Sequence, residues 1–232
     1  MADLYLSLLF SCMVRHGYSP DCILVTTISS IPKNKRKSLN DSDNYRGIAL
    51  SSVIGKLMAI VLIKRNAEVL ATCYQQFGFK KSLSTTQCSF ALREIINCYN
   101  NRGGEVHLLL LDASRAFDRI DFVKLFSLLL DRGICPSTAK YLLNSLKNQK
   151  LRVKWKNSYS DSFYVTNGVK QGGVISPLLF NVYVDELFKR LRKSGIGCYI
   201  GNIYAGSLGF ADDVNLVCPS LNALRRAYKI CL

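Results

Sequence analysis

The chain has 232 residues, of which 49% are apolar, and 31 basic against 16 acidic residues give it a net charge of +15. Its length suits one domain, or one domain with a lobe, and the apolar share can build a real core. Nine cysteines without a Cys-x-x-Cys pair, and two histidines (His16 and His107) remote from any cysteine cluster, leave no zinc spacing, and no apolar stretch approaches a membrane span.

Residues 4–15 read as an amphipathic core helix, because Asp3 precedes them where a signal peptide would be positive. Residues 22–31 are rich in strand formers, and 32–44 form a polar loop, the segment most suited to move. Ser51 or Ser52 can cap a long helix over 53 to about 71, and Ser84 another running to Asn100. The break at 101–104 precedes an all-leucine run, 108–111, that ends in Asp112 and reads as a buried strand. Amphipathic patterns predict helices over 120–130 and 137–146, separated by Gly133 and Pro136, with Asp118 as a cap for the first. Residues 151–155 and 162–166 alternate as a hairpin would. Residues 177–191 are helical behind Ser176 and Pro177, 197–217 are strands, and 220–231 form a last helix. Strands mixed with helices after a helical start indicate an α+β chain.

Three features carry chemistry. Phe210-Ala211-Asp212-Asp213 places two acids between short apolar runs, at the tip of a hairpin. Alone this would be an ordinary turn. Asp112 at the end of its leucine run adds a third acid where sheet meets solvent, and acids converging at strand ends suit a hard divalent cation such as Mg²⁺. The third feature, residues 168–181, has Gln171 followed by Gly172 and Gly173, which permit close backbone approach to a ligand, although a loop with a helix cap explains them as well. Lysines and arginines gather at 33–37, 80–81, 147–156 and 189–193. Each block could be a solvated face, but together they point to a nucleic-acid partner. The odd cysteine count and the apolar neighbours of Cys88, Cys98 and Cys218 fit reduced, mostly buried thiols of an intracellular protein, in nucleus or cytoplasm.

These segments, taken in order, resemble a reverse transcriptase of the non-LTR (LINE-type) retrotransposon class. The match runs through Asn44-Tyr45-Arg46-Gly47-Ile48-Ala49-Leu50, then Gln76-Phe77-Gly78-Phe79 to Thr86, and then Leu111 to Asp118. It continues through Gln171 to Asn181 and ends on Phe210 to Asp213. The resemblance implies a right-hand polymerase. Fingers would occupy about 1–104 and an antiparallel palm sheet with helices packed on one face about 105–232, with the thumb absent, since only nineteen residues follow Asp213. It implies that Asp112 and Asp212 hold two Mg²⁺ ions, Mn²⁺ being possible, with Asp213 the weaker ligand because hairpin neighbours point to opposite faces. Arg46, Phe117, Gln171 and Gly172 would bind the nucleotide: Arg46 at the triphosphate, Phe117 under the sugar, where a core role is the alternative. Template RNA, DNA primer and dNTPs would be the partners, with no membrane. A nucleic-acid-binding remnant without catalysis is the second reading, and a metal-dependent nuclease the third. The latter explains neither Arg46 nor Phe117.

Overall fold

The computed structural model describes residues 1–113 and 115–232. In chain order the helices are α1 (Ala2–His16), α2 (Asp21–Leu24), α3 (Val53–Arg65), α4 (Thr85–Asn100), α5 (Phe122–Asp131), α6 (Pro136–Lys147), α7 (Ser176–Lys193) and α8 (Leu221–Cys231). The strands are β1 (Val25–Pro32), β2 (Tyr45–Leu50), β3 (His107–Asp112), β4 (Lys150–Trp155), β5 (Ser158–Tyr159), β6 (Phe163–Tyr164), β7 (Tyr199–Ile200), β8 (Ile203–Tyr204), β9 (Ser207–Phe210) and β10 (Asp213–Cys218). The fold is α+β. Two compact units form, each from two stretches of chain: Met1–Leu70 with Phe117–Leu179, and Ala71–Ala116 with Phe180–Leu232.

In the first unit, α1 ends on Gly17 at φ +64, and the N–H groups of Gly17 and Tyr18 close the last turn onto Val14 and Met13. Ser52 caps α3 by accepting from Gly55 N–H. The helix stops at Arg65, short of the expected 71, because the Asn66 side chain donates to the Leu62 carbonyl and satisfies the helix end. Asp121, not Asp118, caps α5, accepting from Lys124 N–H, while Asp118 lies in a separate 3-10 turn. The start of the predicted 22–31 strand is instead the short α2. A mixed sheet runs in the order β2-β1-β4-β5, with β6 also on β4; β1 pairs antiparallel with β2 and parallel with β4.

The second unit is built on the antiparallel sheet β3-β10-β9. Alternation along β10 sends Val214, Leu216 and Cys218 to one face, where Phe188 and Leu191 of α7 and Leu224 and Ala227 of α8 cover them. Val217 points to the other face and packs with Leu208, Cys198 and two α4 residues, Cys88 and Ile95. Helices therefore cover one face, and α4 adds cover to part of the other. The leucine run is not a buried strand. Leu108 is 38% and Leu110 72% exposed, because β3 is the edge strand and β10 holds the centre. Cysteine burial is mixed: Cys88, Cys198 and Cys218 are buried, but Cys12, Cys22 and Cys135 are exposed. Among the described residues no helix is long and apolar enough to cross a membrane.

This difference between β10 and β3 is measurable by denaturant unfolding. Leu216→Ala, at a fully buried position, should cost about 2–5 kcal/mol, whereas Leu110→Ala should stay within about 0.5 kcal/mol. Similar losses at both positions would contradict the edge placement of β3.

Candidate active site

All three acids lie in the second unit. The register of β10 sets Asp213 opposite Asp112 on one side and opposite Phe210 on the other. The hairpin loop is therefore Ala211–Asp212, one residue earlier than a loop made of the two acids. Its first position is left-handed, with Ala211 at φ +58, which costs an alanine about 1–2 kcal/mol. Asp212, the second loop residue, has no positive φ.

Directly opposed residues on neighbouring strands share a face, with Cβ atoms roughly 4.5–5.5 Å apart. Asp213 is thus the direct neighbour of Asp112, and Asp212 sits beside them in the loop. Burial, and then the carboxylates of Asp212 and Asp112, push the Asp213 carboxyl above its ordinary value near 3.8. Asp112, Asp213 and Phe210 line a cavity of about 350 Å³ together with Leu110, Asn215 and Ser89. Among the described residues no three His, Cys, Asp or Glu side chains are grouped to hold an ion. The donors on offer are a carboxylate pair with a third acid nearby. That set fits Mg²⁺, which takes one or two carboxylates and completes its shell with water and substrate phosphates.

Arg46, Phe117, Gln171 and Gly172 lie in the first unit, and main-chain bonds tie their segments together. Phe117 is half-buried, and its carbonyl accepts from Val169 N–H at 2.8 Å. The Gln171 carbonyl accepts from Ala49 N–H at 2.7 Å, placing the glycine pair against the strand that carries Arg46. Gly172, at φ +93, leaves room for the Ala49 carbonyl: a Cβ there would lie 3.1 Å from that oxygen. The close approach anticipated for a ligand is, at this glycine, an approach to the chain's own strand. Between these segments Lys170 is largely enclosed near Thr26, 3.4 Å away, and burial lowers its ammonium to about 8.

The sheet of the first unit also gathers charge. Thr27, Ser29 and Ile31 alternate onto one face of β1, and their partners are Arg152, Lys154 and Arg46. Tyr159, opposite Lys154, shares that face, and the Arg152 guanidinium stacks 4.6 Å over its ring. Arg46 and the basic block of β4 are therefore one cationic, aromatic-bearing surface, although more than a hundred residues separate them in sequence.

The family model described as reverse transcriptase (RNA-dependent DNA polymerase) matches residues 31–232. The chain belongs to that family. A Pol polyprotein of the type-1 retrotransposable element R2 from Popillia japonica is 29% identical over 87% of this chain. The RNA-directed DNA polymerase of the mobile element jockey from Drosophila funebris is 26% identical over 94%. Both relatives are proteins of mobile elements. The chain spans 28% and 24% of the length of these two relatives. In fold, it is similar to apo telomerase from Candida tropicalis truncated from its C-terminal domain, with a TM-score of 0.64 at 11% identity, covering 98% of this chain and 51% of that one.

The sequence alone does not single out Gln76, which bonds the Ala211 backbone of the acidic loop, or Asn181 and Asp185, which bond the segment carrying it. The spacing of Gln76 and Gly78 is visible in the sequence, but not what the Gln76 amide binds.

A pH prediction follows from Asp213. Its carboxyl is raised in the folded chain, so over that range the fold holds a proton that the unfolded chain has released. Stability in EDTA should be fullest below the ordinary aspartate value and should fall as pH rises through the raised one. Melting temperature against pH should show this decline, Asp213→Asn should flatten it, and Mg²⁺ should oppose it. A profile that rises over the same range would contradict the assignment.

Proposed function

We propose that the chain is the polymerizing portion of a non-LTR retrotransposon RNA-directed DNA polymerase. The reaction transfers a deoxynucleotide to a primer 3′-hydroxyl and releases pyrophosphate. The observation that carries the proposal is the pairing of Asp213 with Asp112, with Asp212 in the adjoining loop, in a chain of this family. Asp112, Asp212 and Asp213 would hold two divalent cations, Mg²⁺ or Mn²⁺. When bound, such ions lower the pKa of the attacking hydroxyl and neutralise charge on the triphosphate and leaving pyrophosphate. Burial and then the carboxylates of Asp212 and Asp112 raise the Asp213 carboxyl, and a cation would offset the part that comes from the clustered acids.

The protein's own groups do the positioning. The Arg46 guanidinium offers a planar fork to triphosphate oxygens. Phe117 would lie under the incoming sugar, where a bulky ring excludes a 2′-hydroxyl. Gln171 and Gly172 would border the nucleotide. Arg152, Lys154 and Tyr159, on the sheet face that Arg46 shares, suit the template RNA strand, supplying phosphate contacts and a ring on which a base can stack. The DNA primer would end near the acids.

Deoxynucleotide incorporation on a primed RNA template tests the reading. Incorporation should require Mg²⁺ or Mn²⁺, and Asp112→Ala or Asp212→Ala should abolish it while leaving template–primer binding nearly unchanged. Phe117→Ala should admit ribonucleotides in the same assay. Normal turnover in either aspartate variant would overturn the cation assignment. Salt-sensitive binding without incorporation would favour the non-catalytic remnant.

The cationic face has its own test. Replacing Arg152 and Lys154 with alanine should weaken template–primer binding across all sequences. The dependence of log affinity on log salt should become shallower by about 0.7–0.9 for each phosphate that is no longer neutralised. An unchanged slope would move the template elsewhere.

A further inference from the structure

The loop that carries Asp212 is held by a residue outside the hairpin. Gln76 is fully buried. Its side-chain oxygen accepts from Ala211 N–H at 3.0 Å and from Gly78 N–H at 2.7 Å, and its side-chain nitrogen donates to the Ala211 carbonyl at 3.1 Å. Two N–H groups aimed at one atom settle which end of the amide is oxygen. The amide therefore grips both polar groups of the one loop residue with a left-handed backbone.

The segment that supplies Gln76 is itself fixed. It runs beside β9, with Phe77 N–H donating to Gly209 O at 2.7 Å and Gly209 N–H to Gln75 O at 2.8 Å. On the α7 side, Asp185 Oδ1 accepts from Cys73 N–H at 2.7 Å, and its other oxygen pairs with Lys189 Nζ at 3.0 Å. Asn181 Nδ2 donates to the Gly78 carbonyl at 2.8 Å. Gly78 must lack a side chain, because a Cβ there would fall 2.1 Å from Ala211 N.

We propose that Gln76 is a positioning residue for the acidic loop: by holding the Ala211 backbone at positive φ, it sets where Asp212 and Asp213 present their carboxylates to a divalent cation. The functional part of this inference rests on the polymerase reading above. The physical argument is selectivity. An amide of this length can satisfy both the N–H and the C=O of Ala211 only in one loop conformation, and an alanine released from that grip relaxes away from the left-handed region. The acids follow the loop, since Asp212 is its second residue and Asp213 opens β10.

Three measurements on the chain and on Gln76→Leu test the proposal: amide hydrogen exchange at Ala211, Mn²⁺ binding by EPR titration, and deoxynucleotide incorporation. Exchange at Ala211 should accelerate about tenfold or more, and Mn²⁺ affinity should fall roughly 10–100-fold, the usual effect of losing a group that orients a ligand. kcat should fall on the order of 10–100-fold with KM for template–primer unchanged, as expected when reacting groups shift by an ångström or less. Adding Ala211→Gly to Gln76→Leu should recover part of the loss, because glycine takes positive φ without strain. Leu142→Ala, which removes core packing from α6 in the first unit, should leave Ala211 exchange and Mn²⁺ affinity unchanged; if it shifts them as much as Gln76→Leu does, the role is merely structural. A folded Gln76→Leu with wild-type exchange and wild-type Mn²⁺ affinity would also overturn the proposal. If that variant does not fold, Gln76→Asn decides by the same criteria, since it keeps the amide one methylene short. A wild-type chain that neither binds Mn²⁺ nor incorporates nucleotide would defeat the polymerase reading alone, and exchange at Ala211 would still decide whether Gln76 sets the loop.

Discussion

The register of β10 is the constraint on which the second unit depends. This strand pairs with β3 and β9 at once, and a shift of one residue would turn every side chain to the opposite face. Val214, Leu216 and Cys218 belong under α7 and α8, and Val217 belongs against Leu208 and the α4 side. Those burials leave one register available. In that register Asp213 meets Asp112, so the packing at the middle and far end of the strand decides the chemistry at its near end.

That arrangement concentrates negative charge in a chain whose net charge is strongly positive. The acids sit at the strand end and loop, where the hydrophobic clusters stop, and they remain partly open to solvent. Burial first, and then their mutual repulsion, raise the Asp213 carboxyl. The basic surplus includes Arg46, Arg152 and Lys154, which share a sheet face of the other unit. The acids and these bases stand on different sheets, so the two sets do not pair within one ladder.

Backbone strain at Ala211 and close packing at Gly78 belong to one device. A left-handed alanine is tolerated because Gln76 satisfies its N–H and C=O, and Gln76 reaches them because Gly78 lets the two segments touch. Asp185 and Asn181, both on α7, secure the same segment from the other side. The acidic loop is thus held by long-range polar contacts, whereas the rest of the hairpin is held by its ladder and its apolar faces.

Local signals are legible in the sequence because they act over a few residues. The Ser52 and Ser84 caps, the amphipathic α5 and α6, and the family motifs with Asp112, Asp212 and Asp213 can all be read there. Where two local choices compete, the sequence does not rank them: Asn66 ends α3 early, and Asp121 displaces Asp118 as a cap. The sequence by itself determined the α+β class, the family and the presence of acids at a hairpin and at a strand end, because periodicity, caps and motif order are written in consecutive residues. Only the tertiary structure decided that β3 lies at the edge, that Asp213 faces Asp112, that Arg46 shares a face with Arg152, and that Gln76 grips Ala211. Each of these joins residues remote in sequence, and strand order, register and buried hydrogen-bond partners are settled by what packs together.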